Sequence, residues 1–554
     1  MTLAVRSPEL TDTARPVRRR DGWIFAGALV VAVVAYAVNL RGALDFDLDE
    51  VMYTFAGQNV AGAGSVSWGP EPIAVHPPGH FLLLGGWMLL TGTAHGPTVE
   101  ALMGARWLGA LCSVLTVALV GLLARRYTRN GWLMGAAMLL VTFDAFLLRF
   151  GRTALIEPTA VLAGLLVVLL AVRLRHAPSP VYVGVVGLAS GVALLIKEPL
   201  LFTVGVPLLA GVLERDWAFF RRAAAAAGIG GLVWGAFPLW AVLNRAGGWW
   251  WSEHDTSLNR LAGFLQVSGL NRTGVSSTGV FGDTFRTYAG GYLIFGLGAA
   301  GLLVLAFRGG LFHQRRLGTR DASLVAFGVL SYGFLAYCLL LGQANEQLTV
   351  YSVAPAALLT VLAWGPAFRG TAVICAVAAL AGIATWGLTV AAVRDDGTER
   401  MAAVLTRDYA CIPVNATGNA LRWAPALTRN HVESFPDGGA ALRAGIRLFL
   451  LSPKDSRMRY GTSSPQLDTF VRRYGTRLQS FPSRRYERLE LWSVPTALPA
   501  TRECGNQRPP VSARASARSF LALTGGMIGG IALMTYAWHT GNRRREWARH
   551  WAAR

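Results

Sequence analysis

The chain of 554 residues is 53% hydrophobic and only 15% charged, with a mean hydropathy of +0.40. Soluble proteins carry about 25% charged residues, so the composition excludes an ordinary water-soluble globule and points to a polytopic membrane protein with length left for one soluble unit. A net charge of +21 would suit nucleic acid, but the arginines stand in short runs between apolar spans, which is the pattern that orients a protein in a bilayer.

In chain order, residues 1–21 are polar and basic and are expected in the cytoplasm. The first span, 23–40, follows Arg18-Arg19-Arg20 and is long enough to stay as an anchor. It leads out to Asp45, Asp47, Asp49 and Glu50, four carboxylates within six residues. Such residues are costly near lipid and rarely cluster there without a task. The apolar run 81–90 is too short to cross and reads as an interfacial or re-entrant helix within an external loop, 41–104. With that choice the basic ends of the later spans alternate to the inside, from Arg125-Arg126 after 105–124 to Arg308–Arg320 after 288–307. About twelve spans result, with both termini cytoplasmic.

The external side then holds Asp47, Asp49, Glu50, His76, Arg149, Arg152, Glu157, Lys197, Glu198 and Glu346, together with a loop at 245–287 that contains Trp249-Trp250-Trp251. Lysine occurs only as Lys197 and Lys454. Residues 394–516 contain no span; strand-like runs at 447–451 and 489–494 alternate with helical pieces at 440–445 and 466–474, so a small extracytoplasmic α/β domain is expected. A last span at 520–536 and a basic tail complete 517–554. Cys112, Cys338 and Cys375 read as packing residues, whereas Cys411 and Cys504 flank the soluble part and are positioned to pair in an oxidising compartment.

Carboxylates and a few cations at a lipid boundary suit transfer from a lipid-linked phosphate. A carboxylate accepts a hydroxyl proton, and a cation holds the phosphate as its charge develops. Several segments resemble a known family in order: Asp49-Glu50-x-x-Tyr53; His76-Pro77-Pro78-Gly79-His80; Arg106 through Leu123-Ala124-Arg125-Arg126; Gly151-Arg152-Thr153-Ala154-Leu155-Ile156-Glu157; and Gly191 through Lys197-Glu198-Pro199. Together they are similar to the GT-C-fold glycosyltransferases of the protein O-mannosyltransferase and lipid A aminoarabinose transferase superfamily. Two positions depart from its pattern, Glu157 standing for Asp and Glu198 for Gly.

The resemblance implies a GT-C-like catalytic membrane domain over 22–393 and a polyprenyl-phosphate sugar as donor. The acceptor would be a protein, glycan or lipid, and the chemistry would run on the outer face of the cytoplasmic membrane. It also implies that Asp49 is the catalytic base. Arg152 and Lys197 are then expected to bind the donor phosphate, and Glu50, Asp47, Tyr53, His76, Glu157 and Glu346 to line the substrate site. Each has a plainer structural alternative: a helix N-cap for Asp49, snorkelling for Arg152, a salt bridge to Glu157 or Glu198 for Lys197, and an interfacial belt for the tryptophans. Asp45 reads as part of a solvated loop. No cofactor is implied; the Asp45/Asp47/Asp49 run offers hard oxygen ligands to a divalent cation, but members closest to this pattern generally need none. A secondary transporter, or a surface protein binding a partner through 394–516, are the competing readings. The first would place charges near mid-span in repeated halves, and the second would leave the membrane motifs idle.

Overall fold

The computed structural model describes residues 19–68, 72–262, 264, 277–308, 319–340, 346–364, 371–458, 462–484, 486–495, 504, 511–512 and 514–552. Most of the basic N-terminus, residues 263 and 265–276 of the 245–287 loop, residues 309–318 and most of the turn before Gln347 lie outside the described residues.

The membrane part is built from helices. They are α1 (Arg19–Ala37), α2 (Leu48–Ala63), α3 (Gly79–Thr91), α4 (Thr98–Tyr127), α5 (Gly131–Thr142), α6 (Ala145–Phe150), α7 (Glu157–Arg173) and α8 (Ser179–Ile196). After them come α9 (Leu201–Glu214), α10 (Trp217–Leu243), α11 (Gly247–Leu261), α12 (Ser277–Arg308), α13 (Thr319–Leu340), α14 (Glu346–Trp364) and α15 (Thr371–Trp386). Six helices contain a window long and apolar enough to cross a membrane, in α1, α4, α8, α10, α12 and the C-terminal helix. Five shorter apolar helices lie among the described residues, at Gly79–Thr91, Gly131–Thr142, Ala322–Cys338, Gln347–Ala363 and Cys375–Ala391.

Breaks in the backbone account for some of the shortening. The span expected at 132–148 is two helices, because Asp144 accepts hydrogen bonds from the Phe146 and Leu147 amides, each 2.9 Å, and so starts α6 as a new helix. At Lys197 the chain leaves α8 in extended conformation and passes through a single 3₁₀ turn, Glu198–Leu200, before α9. Pro199 is one cause, since it has no N–H with which to continue the α-helical ladder of α8. Helix α3 has 13 residues, roughly 20 Å at 1.5 Å per residue, against a hydrocarbon core of about 30 Å. It packs on α2 where small residues allow contact: a Cβ on Gly57 would lie 2.7 Å from Leu84, and one on Gly85 would lie 2.6 Å from Val60.

The polar stretch after α15 forms α16 (Gly397–Asp408), β1 (Val414–Ala416), α17 (Ala420–Leu427), β2 (Val432–Glu433), α18 (Gly438–Arg443) and β3 (Leu448–Leu451). It continues with α19 (Pro453–Met458), α20 (Pro465–Tyr474), β4 (Thr476–Ser483) and β5 (Glu487–Ser493). The strands make one sheet in the order β2-β1-β3-β5-β4. Pairing is parallel across β2-β1-β3 and antiparallel across β3-β5-β4. One face of the sheet shares its apolar core with the membrane part: Phe46, Val51 and Leu102 pack with Met401, Leu405, Trp423 and Tyr486. Helix α21 (Ala517–Ala552) runs 36 residues, well past the span expected at 520–536. The basic tail through Ala552 is therefore a continuation of the helix.

Cys411 and Cys504 form a disulfide across a sequence separation of 93 residues. In the chain-entropy picture a cross-link closing so long a loop removes about 4.6 kcal/mol of freedom from the unfolded chain. Reduction, or Cys411→Ser, is therefore expected to lower the unfolding temperature of the sheet unit. Unchanged thermal unfolding after complete reduction would show that the bond contributes nothing to it.

Candidate active site

The site starts from the order of residues at the head of α2. Asp47-Leu48-Asp49-Glu50 forms a capping box: the Asp47 carboxylate accepts from the Asp49 amide at 3.0 Å, and Glu50 accepts from the Asp47 amide at 3.1 Å. Asp47 is thus the N-cap, the job weighed for Asp49 from sequence. Asp49 stands in the first turn, half-buried.

Glu50 faces inward. Its side chain and that of Arg106 are both 0% exposed, and they meet in a bidentate pair at 2.9 and 2.8 Å. Glu50 also accepts from the Ala154 amide at 2.8 Å. Arg106 also donates to the Leu40 and Leu44 carbonyls at 3.2 and 3.0 Å. One ion pair thereby ties α4, the acidic loop and the turn before α7 together. Glu50, expected to orient the loop or an acceptor group, is buried against Arg106 and bonded to the loop and to the turn before α7.

Arg152 is also redirected. It is 1% exposed and donates to the carbonyls of Ala35 and Val38, at 2.8 and 2.5 Å. These are carbonyls at the C-terminal end of α1, where a cation is favoured by unpaired acceptors and by the helix dipole. Two of its nitrogens are therefore bonded to the end of α1, and no hydrogen-bond partner for its Nε occurs among the described residues.

That group forms where the chain breaks after α8. Lys197, 7% exposed, pairs with the buried Glu157 at the head of α7. Its ammonium lies 5.9 Å from the ring centre of Tyr351 in α14. Gly79 lets the His76–His80 segment reach this place, because a Cβ there would stand 2.5 Å from the Leu195 carbonyl oxygen. The Tyr53 hydroxyl and His76 Nε2 are 3.0 Å apart. His80 Nδ1 is 2.9 Å from the Thr159 hydroxyl, which itself donates to the Ile156 carbonyl at 2.7 Å. Thr159 must then accept from His80, which puts the neutral ring's proton on Nδ1 and leaves Nε2 as an acceptor. No partner for Nε2 occurs among the described residues.

Charge in this group is balanced tightly. Burial, then the positive charge of Lys197, lowers the His76 pKa to about 3, so His76 is neutral through the physiological range. Burial and the nearby charges of Asp49 and Glu157 push the Tyr53 phenol well above its ordinary value, so it stays protonated. Tyr53 also packs in parallel on Trp68, with ring centres 6.2 Å apart.

Helix α11 closes one flank. Its His254 meets Glu198 at 3.1 Å through Nε2 and the Trp250 carbonyl at 2.9 Å through Nδ1. Both neighbours are acceptors, so a doubly protonated ring satisfies both. Burial alone would lower the His254 pKa, but the hydrogen bond and charge of Glu198 raise it. The tryptophan run divides: Trp250 stacks on His254 at 3.9 Å, while Trp251 is 61% exposed. Glu346 heads α14, and its side chain lies outside the described residues.

Asp45 is the other surprise. It is buried rather than solvated, and its Oδ1 accepts from the Thr398 amide of α16 at 2.9 Å. The three aspartates of the loop therefore do not converge, and among the described residues no cluster of His, Cys, Asp or Glu is placed to hold a metal ion. Arg106, His80, Thr159, Tyr351 and the Glu198–His254 pair carry this geometry, yet were not singled out as site residues from sequence. His80 had one signal, its place in the His76-Pro77-Pro78-Gly79-His80 motif.

Residues 87–222 match the family described as dolichyl-phosphate-mannose-protein mannosyltransferase. Among solved structures, the chain is similar to the archaeal oligosaccharyltransferase AglB from Archaeoglobus fulgidus, in complex with an inhibitory peptide and a dolichol-phosphate. The TM-score is 0.53 at 13% identity, over 91% of this chain and 78% of that one. It is also similar to ArnT from Cupriavidus metallidurans bound to undecaprenyl phosphate, with a TM-score of 0.51 at 14% identity, over 86% of this chain and 98% of that one. No curated protein matches the chain by sequence. The fold is thus the GT-C fold of multi-pass membrane glycosyltransferases.

Two expectations follow from the geometry. Arg106→Ala strands a buried carboxylate at a cost of about 3–5 kcal/mol, whereas Glu50→Leu with Arg106→Met removes the stranded charge but recovers only part of the loss, because the Ala154 and Asp47 amides and the Leu40 and Leu44 carbonyls lose their partners. Thermal unfolding in lipid nanodiscs measures both, and a stable Arg106→Ala protein would contradict the pair's importance. Burial pushes the Asp45 carboxyl up to about 6, against the pull of Ser483 and Thr398. An unfolded aspartate titrates near 3.9, so the folded state holds this proton more tightly between about pH 4 and 6, and stability from this group falls as pH rises through that window. Asp45→Asn should remove that slope from unfolding measured between pH 4 and 7. An unchanged slope would assign it to other groups.

Proposed function

We propose that the chain is a glycosyltransferase that moves a sugar from a polyprenyl-phosphate donor to an acceptor hydroxyl at the outer face of the cytoplasmic membrane. The observation that carries this reading is the buried Lys197–Glu157 pair, set beside His76, Tyr53 and Tyr351 and close to the half-buried Asp49. A lone lysine in an otherwise arginine-based membrane domain, held at a helix break by a carboxylate, supports a phosphate-binding role.

In this reading the acceptor oxygen attacks the anomeric carbon and gives its proton to an Asp49 carboxylate oxygen. The bond from that carbon to the phosphate oxygen breaks, and the polyprenyl phosphate leaves with the electron pair. Lys197 supplies positive charge to the departing phosphate, with Glu157 holding the ammonium between turnovers and the neutral His76 and Tyr53 adding hydrogen bonds. A phosphate is a good leaving group, so no strong acid is required. One displacement inverts the anomeric configuration. Asp47 and Glu50 act through the loop, and Arg152 through α1. The Cys411–Cys504 disulfide suits an oxidising compartment for the sheet unit. That supports the topology with both termini inside. The acceptor is a protein, glycan or lipid, and the sugar a hexose or pentose.

The test is sugar transfer by the full chain in proteoliposomes, using radiolabelled polyprenyl-phosphate mannose, glucose and arabinofuranose with a membrane fraction as acceptor. Asp49→Asn is expected to lower kcat by about 10²-fold or more. Lys197→Ala should raise the donor KM as well as lower kcat. Full activity in a folded Asp49→Asn protein rejects the base assignment, and no transfer from any donor by the unmodified chain rejects the reading itself.

A further inference from the structure

The acidic loop is gripped from two sides. The membrane side is the Glu50–Arg106 pair. The other side is the sheet unit, and its contacts fall on residues immediately before Asp49. Gly42 accepts a backbone hydrogen bond from Asp395 at 2.7 Å. The Tyr486 hydroxyl donates to the Phe46 carbonyl at 3.2 Å. Phe46 and Val51 are buried in the core of the sheet unit. Asn39 donates to the Val390 and Val393 carbonyls, at 2.8 and 2.6 Å, just before that unit begins.

Asp45 is the centre of this grip. Helix α16 opens without a cap of its own, since Asp396 at the N-cap position makes no side-chain cap hydrogen bond. The carboxylate of Asp45, 353 residues earlier, accepts from the Thr398 amide and serves in its place. It accepts from the Phe46 amide as well, at 2.9 Å, so one oxygen joins the loop backbone to the helix backbone. The approach depends on Gly397, where a Cβ would stand 3.2 Å from Asp45 Oδ2 and 2.7 Å from the Pro482 carbonyl oxygen.

We infer that Asp45 is a positioning residue through which the sheet unit holds the loop that presents Asp49, so that this unit is part of the apparatus for transfer rather than a passive appendage. The inference rests on Asp49 being the base, but the mechanical coupling stands apart from the chemistry. Asp49 lies four residues beyond Asp45, in the first turn of a helix whose start both grips share. A reacting group displaced by about 1 Å loses up to two orders of magnitude in rate.

The experiment compares the full chain with Asp45→Ala and Asp45→Asn in nanodiscs. Amide hydrogen exchange is read over residues 42–54 and over β3 and β5, and transfer kinetics are read with the labelled donors above. Asp45→Ala should speed exchange in 42–54 and at the first turn of α16, leave β3 and β5 protected, and lower kcat about tenfold with donor KM little changed. Asp45→Asn keeps an oxygen acceptor for the Thr398 amide and should restore most of both. Unchanged exchange over 42–54 in Asp45→Ala overturns the coupling, whether or not sugar is transferred. Faster exchange with undiminished kcat overturns the positioning role while leaving the transferase reading intact.

Discussion

A guanidinium and a carboxylate that never meet solvent hold the acidic loop to the membrane helices. Arg106 projects from a long membrane helix and uses its whole fork: two nitrogens on Glu50, the rest on backbone carbonyls of the loop before it. A buried ion pair is weak evidence of stability by itself, because desolvating both charges offsets much of their attraction. Its value here is directional. The fork accepts only one arrangement of the loop, and Glu50 reaches on to the Ala154 amide, so the same pair sets the turn that delivers Glu157. With that turn in place, α7 starts at Glu157, and its carboxylate meets Lys197 at the end of α8.

The candidate site is assembled from breaks in helices rather than from their faces. Lys197 lies where α8 ends at a proline-marked turn, Glu157 at the first residue of α7, and His76 in the turn before α3. Helix ends expose polar backbone that must be satisfied near lipid, and a site at such ends provides polar partners where the fold already needs them. The consequence is that the side chains of the group bond one another or the backbone in the fold itself. Glu157 neutralises Lys197, and Glu198 fastens α11 through His254. The sheet unit follows the same economy, because the carboxylate that starts its helix α16 belongs to the membrane domain's loop.

Much of this was legible in the chain. Composition and the runs of arginine set it in a membrane, and the order of the short motifs pointed to the GT-C fold. The strand Leu448–Leu451 and the helix Pro465–Tyr474 lie within a residue of where alternation and periodicity place them. The acidic cluster and Lys197 stand out by composition alone, since a lysine among arginines and four carboxylates beside a span are improbable without a role. The helix break at Asp144 was also within reach of the sequence, as aspartate is a strong N-cap, but the apolar run around it hid the signal.

What the sequence could not do was divide the labour among neighbouring residues of one charge. Asp45, Asp47, Asp49 and Glu50 look alike in the chain, yet one caps a helix 353 residues away, one caps its own helix, one stays half-buried and one is sealed against Arg106. Arg152 and Lys197 look like equals in the chain, yet the arginine bonds carbonyls at the end of α1 and the lysine a carboxylate. Local sequence determines which side chains are present and the helical phase on which each lies. Whether a buried charge faces a counter-charge, a helix terminus or an open space depends on partners brought close only by tertiary packing, and the cost of leaving such a charge unpaired makes that packing decide its role.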